Sequence, residues 1–241
     1  VLAILAPGQG AQVPGFLAPW LELPGVTDAV TWWSAVLDLD LARLGTIADA
    51  EEIKDTAIAQ PLIVGAGLAA AATIFDSPSP QSALDQLISN VAVVAGHSVG
   101  ELTAAALSGV LSPESALVLV RERGRAMAKA AAATPTGMTA VLGGEPKAVL
   151  ERLTELGLTP ANVNGVGQVV AAGTLEQLDA LATNPPEGAR LRPLAVAGAF
   201  HTAHMAPAVD RLRELAVAIP TFEPAARLLQ NADGVVVQHG P

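Results

Sequence analysis

Gly96-His97-Ser98-Val99-Gly100 is the stretch whose residue types and spacing best suit a chemical reaction. Glycines two positions before and after a serine permit a tight turn from a strand into a helix, where larger side chains would collide with neighbouring backbone. Such a turn lifts the hydroxyl above the sheet, at a helix N-terminus whose dipole favours developing negative charge. The pattern therefore predicts that Ser98 is a nucleophile. It is also short, and an ordinary serine N-cap is the alternative interpretation.

A serine nucleophile requires a base, because its hydroxyl is unreactive at neutral pH until the proton is removed. The chain contains four histidines, and His201 and His204 are the only closely spaced pair. We expect one of these two to be the general base. Their spacing would also allow a shared metal ion. The chain has no cysteine and no carboxylate motif beside the pair, however, so we predict no metal site.

Two glutamines stand at positions where a site could form. Gln9 lies between two glycines directly after the first predicted strand, in a loop whose backbone N–H groups can converge on one spot. The same loop can also be read as a simple tight turn. Gln60 directly precedes Pro61, where it either faces a pocket or ends a loop. The residues alone leave both alternatives open.

Three arginines follow one another at alternate positions of a predicted helix. Arg121 and Arg125 share a face, whereas Arg123 is rotated by about 200° from Arg121. Gly124 costs roughly 1 kcal/mol in a helix interior relative to alanine, so we expect another segment to pack closely beside Arg123. The sequence does not decide whether Arg123 belongs to a solvated face or to a site.

The elements around the serine have the composition of a parallel α/β core. Val91–Ala95 suits a strand that is covered on both faces, and the helix that starts at Glu101 meets a C-cap signal at Gly109. The same reasoning predicts a strand at 1–6, a helix at 27–37, a buried helix with Pro61 in its first position, a surface connection at 77–80, a helix at 82–88, a helix with Ser112 as N-cap and Pro113 in its first position, a strand at 227–230 and a turn at 231–234.

The middle of the chain has a different pattern, β-α-β-β-α-β. Strands are predicted at 139–142, 159–164, 168–172 and 190–196, and helices at 147–156 and 175–182. This order is the split βαβ arrangement of a ferredoxin-like unit. We therefore predict a small subdomain at 128–196, inserted into a core formed by 1–127 and 197–241. Asn162 lies close to its central turn, where most polar residues only cap turns.

Composition restricts the class of protein. The 241 residues are 51% hydrophobic and 15% charged, which is typical of a globular chain with a substantial core. The formal net charge of −10 argues against nucleic acid or an anionic membrane as the main partner. The absence of cysteine is compatible with a reducing compartment. No signal-peptide pattern is visible and the longest apolar run is short for a membrane span, so we expect a cytoplasmic protein.

Jointly, these motifs resemble the malonyl-CoA:acyl-carrier-protein transacylases of fatty-acid and polyketide synthesis. The resemblance extends along nearly the whole chain and is far more specific than any single motif. It rests on Gly8-Gln-Gly-Ala-Gln12, Gln60-Pro61, Gly96-His-Ser-Val-Gly-Glu101, Arg123-Gly124, Asn162-Val-Asn164 and Gly198-Ala-Phe-His201, in this order and spacing.

The resemblance implies an α/β-hydrolase-like core with a parallel sheet and a nucleophile elbow, plus an inserted ferredoxin-like subdomain. It also implies an acyltransferase that moves a malonyl group from malonyl-CoA to the phosphopantetheine thiol of acyl carrier protein, through a malonyl-serine intermediate. By resemblance, no cofactor is needed and a monomer is expected. The roles implied for single residues are Ser98 as nucleophile, His201 as base, the Gln9 and Val99 amides as oxyanion hole, Arg123 as the clamp on the malonyl carboxylate, and Gln60, Phe200 and Asn162 as further substrate-binding residues.

This chain departs from the family pattern in its C-terminal part. Family members continue to a glutamine-containing segment whose backbone carbonyl orients the catalytic histidine, and we expect that part of the core to be missing from these residues. Docking of an acidic carrier protein on an acidic chain would need a local basic patch, for which Arg190, Arg192 and Lys129 are candidates.

Two other functions stay open at this point. A serine esterase or thioesterase shares the motif around Ser98, and Ser98, Asp179 and His201 follow the chain order of α/β-hydrolase triads. Against this, Asp179 falls within a predicted helix of the insertion, and a hydrolase has no need of Arg123. A noncatalytic module that binds acyl-CoA or carrier protein is the other alternative.

Overall fold

A computed structural model describes residues 2–74, 85–86, 89–165 and 167–239 of the chain. The chain divides into two compact units, which are Val1–Gly124 with Leu212–Pro241, and Arg125–Arg211. The segment predicted as an insertion, 128–196, lies within the second unit. The predicted connection at 77–80 lies outside the described residues, as do 82–84 and 87–88 of the predicted helix at 82–88.

A parallel three-stranded sheet organises the first unit. Its strands are β1 (Leu2–Ala6), β2 (Val91–Gly96) and β7 (Arg227–Leu229), in the order β1-β2-β7. Ala6 pairs with Gly96, and Ala95 pairs with Leu229. Because the strands are parallel, the loops that follow all three begin at the same edge of the sheet. The loop after the central strand contains Ser98.

Helices supply most of the core of the first unit. The most enclosed is α4, which is apolar on all sides and carries side chains such as Leu62 and Leu68 that are fully buried. The described helices that begin in the first unit are α1 (Ala18–Leu21), α2 (Val26–Leu37), α3 (Leu41–Thr46), a single 3-10 turn at Glu52–Lys54, α4 (Thr56–Ala71), α5 (Gly100–Leu107) and α6 (Pro113–Ala133), whose residues from Arg125 on belong to the second unit. As predicted, Ser112 caps α6, and its Oγ accepts a hydrogen bond from the Ser115 N–H at 3.1 Å.

The prediction that Pro61 opens the buried helix is wrong, because α4 begins five residues earlier, at Thr56. Asp55 provides the cap, and its Oδ1 accepts a hydrogen bond from the Ala57 N–H at 2.7 Å. This local cap is strong enough to start the helix upstream, so Pro61 lies in the helix interior and supplies no N–H to the fourth residue before it.

The close packing expected beside Arg123 is confirmed at Gly124. A Cβ atom on Gly124 would lie 2.9 Å from the Thr56 carbonyl oxygen and 3.2 Å from the Ala57 Cα, both backbone atoms of the first turn of α4. Only glycine allows α6 to approach α4 this closely. The glycine therefore brings Arg123 to the first turns of α4.

The second unit contains an antiparallel sheet of order β4-β5-β3-β6. The elements of this region, in chain order, are β3 (Thr136–Gly143), α7 (Pro146–Glu155), β4 (Thr159–Val163), β5 (Gln168–Thr174), α8 (Leu175–Thr183) and β6 (Ala189–Pro193), followed by a 3-10 turn at Ala203–Met205 and by α9 (Ala206–Ala216), whose residues from Leu212 on belong to the first unit. The six elements predicted for this region are confirmed with bounds that differ by a few residues. A capping box between Thr174 and Gln177 fixes the start of α8.

Two apolar clusters stabilise the second unit. One joins the sheet to its helices through residues such as Val141, Leu153 and Leu181, which are almost fully buried. The other contains Phe200 together with Met127, Met138 and Met205. Phe200 is 6% exposed, so most of its ring belongs to this core.

Candidate active site

Ser98 occupies a strained turn between β2 and α5. Its φ angle is 53°, which lies in the left-handed region that non-glycine residues rarely adopt. A Cβ on Gly96 would lie 2.1 Å from the Gly100 carbonyl carbon, and one on Gly100 would lie 2.5 Å from the Ala6 carbonyl oxygen. The turn therefore requires glycine at both positions. The predicted tight turn between strand and helix is confirmed.

Asn231, which is distant from this turn in the sequence, binds its backbone directly. Its Oδ1 accepts a hydrogen bond from the Ser98 N–H at 2.8 Å, and its Nδ2 donates to the Gly96 carbonyl at 2.6 Å. Its own N–H donates to Glu101 Oε1 at 2.7 Å. The sequence predicted only a turn at 231–234. A signal was nevertheless present, since this turn follows a strand of the same parallel sheet.

Two backbone amides beside the serine are unpaired. In the part of the chain that the structure describes, neither the Gln9 N–H nor the Val99 N–H has a hydrogen-bond partner. The loop that carries Gln9 is fixed by Gln12, whose Oε1 accepts from the Gly10 N–H at 2.8 Å and whose Nε2 donates to the Ile53 carbonyl at 3.1 Å. Unpaired amides in rigid loops are suitable donors for an oxyanion.

A chain of polar side chains leads from the serine to the Gln9 loop. Arg123 donates from Nη2 to Ser98 Oγ at 3.3 Å and from Nη1 to Gln60 Oε1 at 2.6 Å. Gln60 in turn donates from Nε2 to Gln9 Oε1 at 3.3 Å, and Gln9 donates to Thr56 Oγ1 at 3.3 Å. Four residues predicted as part of a site, Ser98, Gln9, Gln60 and Arg123, are thus joined by direct hydrogen bonds. Gln60 is 1% exposed, so it acts on its surroundings chiefly through Arg123 and Gln9.

Arg123 is a partly buried cation for which the described part of the chain offers no carboxylate partner. Among the described residues, no Asp or Glu oxygen lies within 4.0 Å of its guanidinium nitrogens. Burial lowers the pKa of Arg123 to about 10, and the negative charge of Glu101 opposes that shift. A cation that is largely withdrawn from water and has no carboxylate within 4.0 Å among the described residues is well suited to bind an anion from a ligand.

The sign of this pKa shift fixes its effect on stability. The folded state binds the Arg123 proton less tightly than the unfolded state does. Burial of the charged form therefore destabilises the fold by a constant amount at neutral pH, and the penalty declines as the pH rises above about 10. An anionic ligand would remove the same penalty at neutral pH.

His201, Phe200 and Asn162 lie in the second unit. His201 has a φ angle of 59° and is exposed, in a short loop that leads into the 3-10 turn at 203–205. The Ala199 N–H donates to Thr136 Oγ1 at 3.0 Å, and Thr202 Oγ1 donates to the Ala199 carbonyl at 2.7 Å, so the loop is fixed on both sides of the histidine. Asn162 is half-buried on β4.

Three further features bear on the esterase, metal-binding and membrane alternatives. Asp179, the acid of a hydrolase triad in the sequence analysis, is exposed on α8. No group of three or more His, Cys, Asp and Glu side chains that could hold a metal ion occurs among residues 2–74, 85–86, 89–165 and 167–239. Within the same ranges, every helix is too short or too polar to cross a membrane.

Comparison with known proteins places this fold, with its serine turn, in the acyl transferase class. A family model described as an acyl transferase domain matches residues 6–229. The chain is 53% identical to the malonyl CoA-acyl carrier protein transacylase of Mycobacterium tuberculosis (strain ATCC 25618 / H37Rv), over 97% of this chain and 75% of that protein. It is 30% identical to the transacylase of the same name from Bacillus subtilis, over 98% of this chain and 74% of that protein. This chain therefore belongs to the malonyl CoA-acyl carrier protein transacylase family.

Solved structures agree with this assignment. The crystal structure of MCAT from Mycobacterium tuberculosis matches with a TM-score of 0.91 and 52% identity, over 99% of this chain and 76% of that chain. A malonyl-transacylase, PlMCAT, solved in complex with a type II PKS acyl-carrier protein, matches with a TM-score of 0.85 and 29% identity, over 99% of this chain and 76% of that chain. These matches confirm a mixed α/β fold with one parallel and one antiparallel sheet.

Proposed function

We propose that this chain transfers a malonyl group from malonyl-CoA to the phosphopantetheine thiol of an acyl carrier protein through malonyl-Ser98. In the first half-reaction Ser98 Oγ bonds to the thioester carbonyl carbon, its proton passes to His201, the C–S bond breaks and the CoA thiolate takes up the proton. In the second half-reaction the carrier thiol attacks the acyl-serine, again with His201 as base, and Ser98 is regenerated. Such a double displacement predicts ping-pong kinetics.

The unpaired amides of Gln9 and Val99 are proposed to stabilise the tetrahedral oxyanion in both half-reactions. One donor of this kind contributes about 3 kcal/mol to transition-state stabilisation. Val99 is the residue after the nucleophile, which is the usual position of one such donor in strand–turn–helix sites. The rigid loop at Gly8–Gln12 would provide the other donor.

The position of Arg123 is the observation that supports malonyl as the acyl group. Its guanidinium lies 3.3 Å from the proposed nucleophile and has no carboxylate partner in the described part of the chain. The free carboxylate of malonyl would provide that partner, whereas an acetyl group would leave the buried cation unpaired. We further propose that Gln60, Phe200 and Asn162 shape the substrate site, with Gln60 acting through Arg123.

Several broader assignments belong to the same proposal. The parallel unit with Ser98 at the end of its central strand supports an α/β-hydrolase-like core with a nucleophile elbow. The sheet order β4-β5-β3-β6 supports a ferredoxin-like subdomain, proposed at 128–196 within a core of 1–127 and 197–241. We propose a cytoplasmic monomer. We also propose that it needs no cofactor, since malonyl-CoA and the phosphopantetheinyl carrier protein are both substrates.

Intact-protein mass after a short incubation with malonyl-CoA tests this function. The wild type should gain one malonyl group, Ser98→Ala should gain none, and acetyl-CoA should label the wild type weakly or not at all. Addition of phosphopantetheinyl carrier protein should then remove the adduct from the enzyme and place it on the carrier. A malonyl adduct that persists in Ser98→Ala would refute the assigned nucleophile.

A further inference from the structure

We infer that Asn231 is a positioning residue for the Ser98 nucleophile, a role that rests on the function proposed above. Its side chain binds the backbone before and at the serine, through the Gly96 carbonyl at 2.6 Å and the Ser98 N–H at 2.8 Å. Its backbone N–H is in turn bound by Glu101 Oε1, on the first turn of α5, at 2.7 Å. We call this set of three hydrogen bonds the Asn231 bracket.

The turn needs such support because its own backbone hydrogen bonds do not include the Ser98 N–H or the Gly96 carbonyl. The His97 N–H donates to the Ala6 carbonyl at 2.9 Å, and the Gly100 and Glu101 N–H groups donate to His97 and Ser98 carbonyls at 3.0 Å. The Ser98 N–H and the Gly96 carbonyl are the donor and the acceptor that Asn231 satisfies. A left-handed φ at a non-glycine residue costs roughly 1–2 kcal/mol, so the strained Ser98 conformation persists only when its surroundings hold it.

The residue type follows from the geometry of the bracket. One side chain must accept a hydrogen bond at one atom and donate at another, and the primary amide of asparagine does both. Aspartate of the same shape could accept from the Ser98 N–H, but it would direct a second oxygen at the Gly96 carbonyl. Alanine would leave both backbone groups without a side-chain partner.

The bracket also bears on the proposed oxyanion hole. It engages the amide of Ser98 and leaves the next amide, that of Val99, without a partner in the described part of the chain. Ser98 Oγ and the Val99 N–H are therefore held by the same fixed turn. Misplacement of reacting groups by as little as 1 Å can cost about 100-fold in rate. Loss of the bracket should thus slow the acylation step without weakening malonyl-CoA binding.

Gln230 offers a matched control in the same loop. Its side chain donates to Asp233 Oδ1 at 2.9 Å, within an exposed turn. Its backbone shapes that turn, because the Gln230 N–H donates to the Val235 carbonyl at 3.1 Å and the Gln230 carbonyl accepts from Gly234 at 3.0 Å. Gln230→Ala keeps both backbone contacts and leaves the bracket intact.

Rapid-quench acylation followed by intact-protein mass tests the inference. Wild type, Asn231→Ala, Asn231→Asp and Gln230→Ala are mixed with a range of malonyl-CoA concentrations, and the adduct amplitude, maximal rate constant and half-saturating concentration are measured. Asn231→Ala should lower the maximal rate constant about 10- to 100-fold, with half-saturation changed by less than about threefold. Asn231→Asp should also be slowed, because its second oxygen would face the Gly96 carbonyl, and Gln230→Ala should match the wild type.

The amplitude and the rate constant separate a positioning role from a purely structural one. If Asn231 only stabilises the fold, Asn231→Ala loses amplitude and melts at a lower temperature, but its remaining folded molecules react at the wild-type rate constant. That result overturns the inference. If Asn231→Ala does not fold, a wild-type rate constant in Asn231→Asp overturns it equally. A wild type that forms no adduct refutes the proposed function itself, which is a different result from any of these.

Discussion

At the scale of single residues, Arg123 should decide which acyl group the enzyme accepts. Arg123→Ala removes the charge that would bind the malonyl carboxylate, and hydrogen bonds to charged groups contribute about 1.5–3 kcal/mol each. We expect kcat/KM for malonyl-CoA acylation to fall about 100- to 1000-fold, while acetyl-CoA labelling is kept or increased. Comparison of the two adducts by mass provides the measurement.

The exposed Arg125 on the same helix provides the control for this change. Arg125→Ala should leave the preference for malonyl over acetyl as in the wild type. Equal losses of malonyl and acetyl labelling in Arg123→Ala would show that the arginine supports the turn and does not select the acyl group. A simple esterase would show no preference for malonyl over acetyl even in the wild type.

The lowered pKa of Arg123 predicts a pH dependence of malonyl binding. Only the protonated guanidinium attracts the carboxylate, and the pKa of Arg123 in the free enzyme is about 10. Affinity should therefore be level from about pH 7 to 9 and then fall, approaching about tenfold per pH unit above that pKa. Equilibrium binding to Ser98→Ala measures this without turnover.

Acetyl-CoA serves as the reference ligand in that titration, because it shares every group of malonyl-CoA except the carboxylate. Titration of other cations near the CoA moiety should affect both ligands alike. The ratio of the two affinities isolates Arg123. A ratio that stays constant through pH 10.5 would contradict a pKa of about 10 for a carboxylate-binding arginine.

At the scale of secondary-structure elements, the crossing of α4 and α6 at Gly124 determines where Arg123 lies. Gly124→Ala would gain roughly 1 kcal/mol of helix propensity. The added Cβ would lie 2.9 Å from the Thr56 carbonyl oxygen, however, and overpacking against backbone costs about 1–3 kcal/mol. The clash should dominate. We expect a lower melting temperature and weaker malonyl-CoA binding.

Lys129→Ala, an exposed change on the same helix, controls for a general effect on α6. It should change the free energy of unfolding by less than about 0.5 kcal/mol. A stabilised Gly124→Ala with unchanged malonyl-CoA binding would show that the two helices can separate without consequence for Arg123.

Secondary structure was the part of this protein that its sequence predicted best. The elements of the second unit carry clear periodicity and turn signals, and these local features survive in the structure. The helix start predicted at Pro61 is wrong because the usual preference of proline for the first turn competes with a stronger local cap at Asp55. Gly124 itself predicts a close contact on α6, but its partner Thr56 is distant in the chain and has no local signature.

The candidate site was predictable only in part. Ser98 was identified from its glycine spacing, whereas the hydrogen bond from Arg123 to Gln60 depends on residues 63 positions apart. Asn231 was missed as a functional residue because its partner Ser98 lies 133 positions earlier. Parallel sheets bring such distant residues to one edge, which local patterns do not reveal.

At the scale of the whole molecule, net charge constrains how a carrier protein can approach. The chain carries a formal charge of −10, so an acidic partner must use a local basic surface. Arg190 and Arg192 are both exposed and alternate along the edge strand β6. We expect the double change Arg190→Glu and Arg192→Glu to raise KM for an acidic carrier protein about tenfold or more, with a reduced dependence on salt.

The acylation half-reaction separates this effect from general damage, because it does not involve the carrier protein. Malonyl-CoA labelling of the double variant should match the wild type. Lys147→Glu reverses an exposed charge on α7 of the same unit and should leave KM for the carrier unchanged. A similar increase of KM per reversed charge in both variants would point to overall charge and not to a docking surface.

The parallel pairing of β2 with β7 has a consequence for the timing of biosynthesis. A ribosome adds about 5–20 residues per second, so the 133 residues between Ser98 and Asn231 take roughly 7–27 s to synthesise. Throughout that interval the nascent chain contains the serine but not the residue that holds it. The serine of the growing polypeptide is therefore expected to react with cellular thioesters at least about 10- to 100-fold more slowly until β7 and the turn that follows it have emerged.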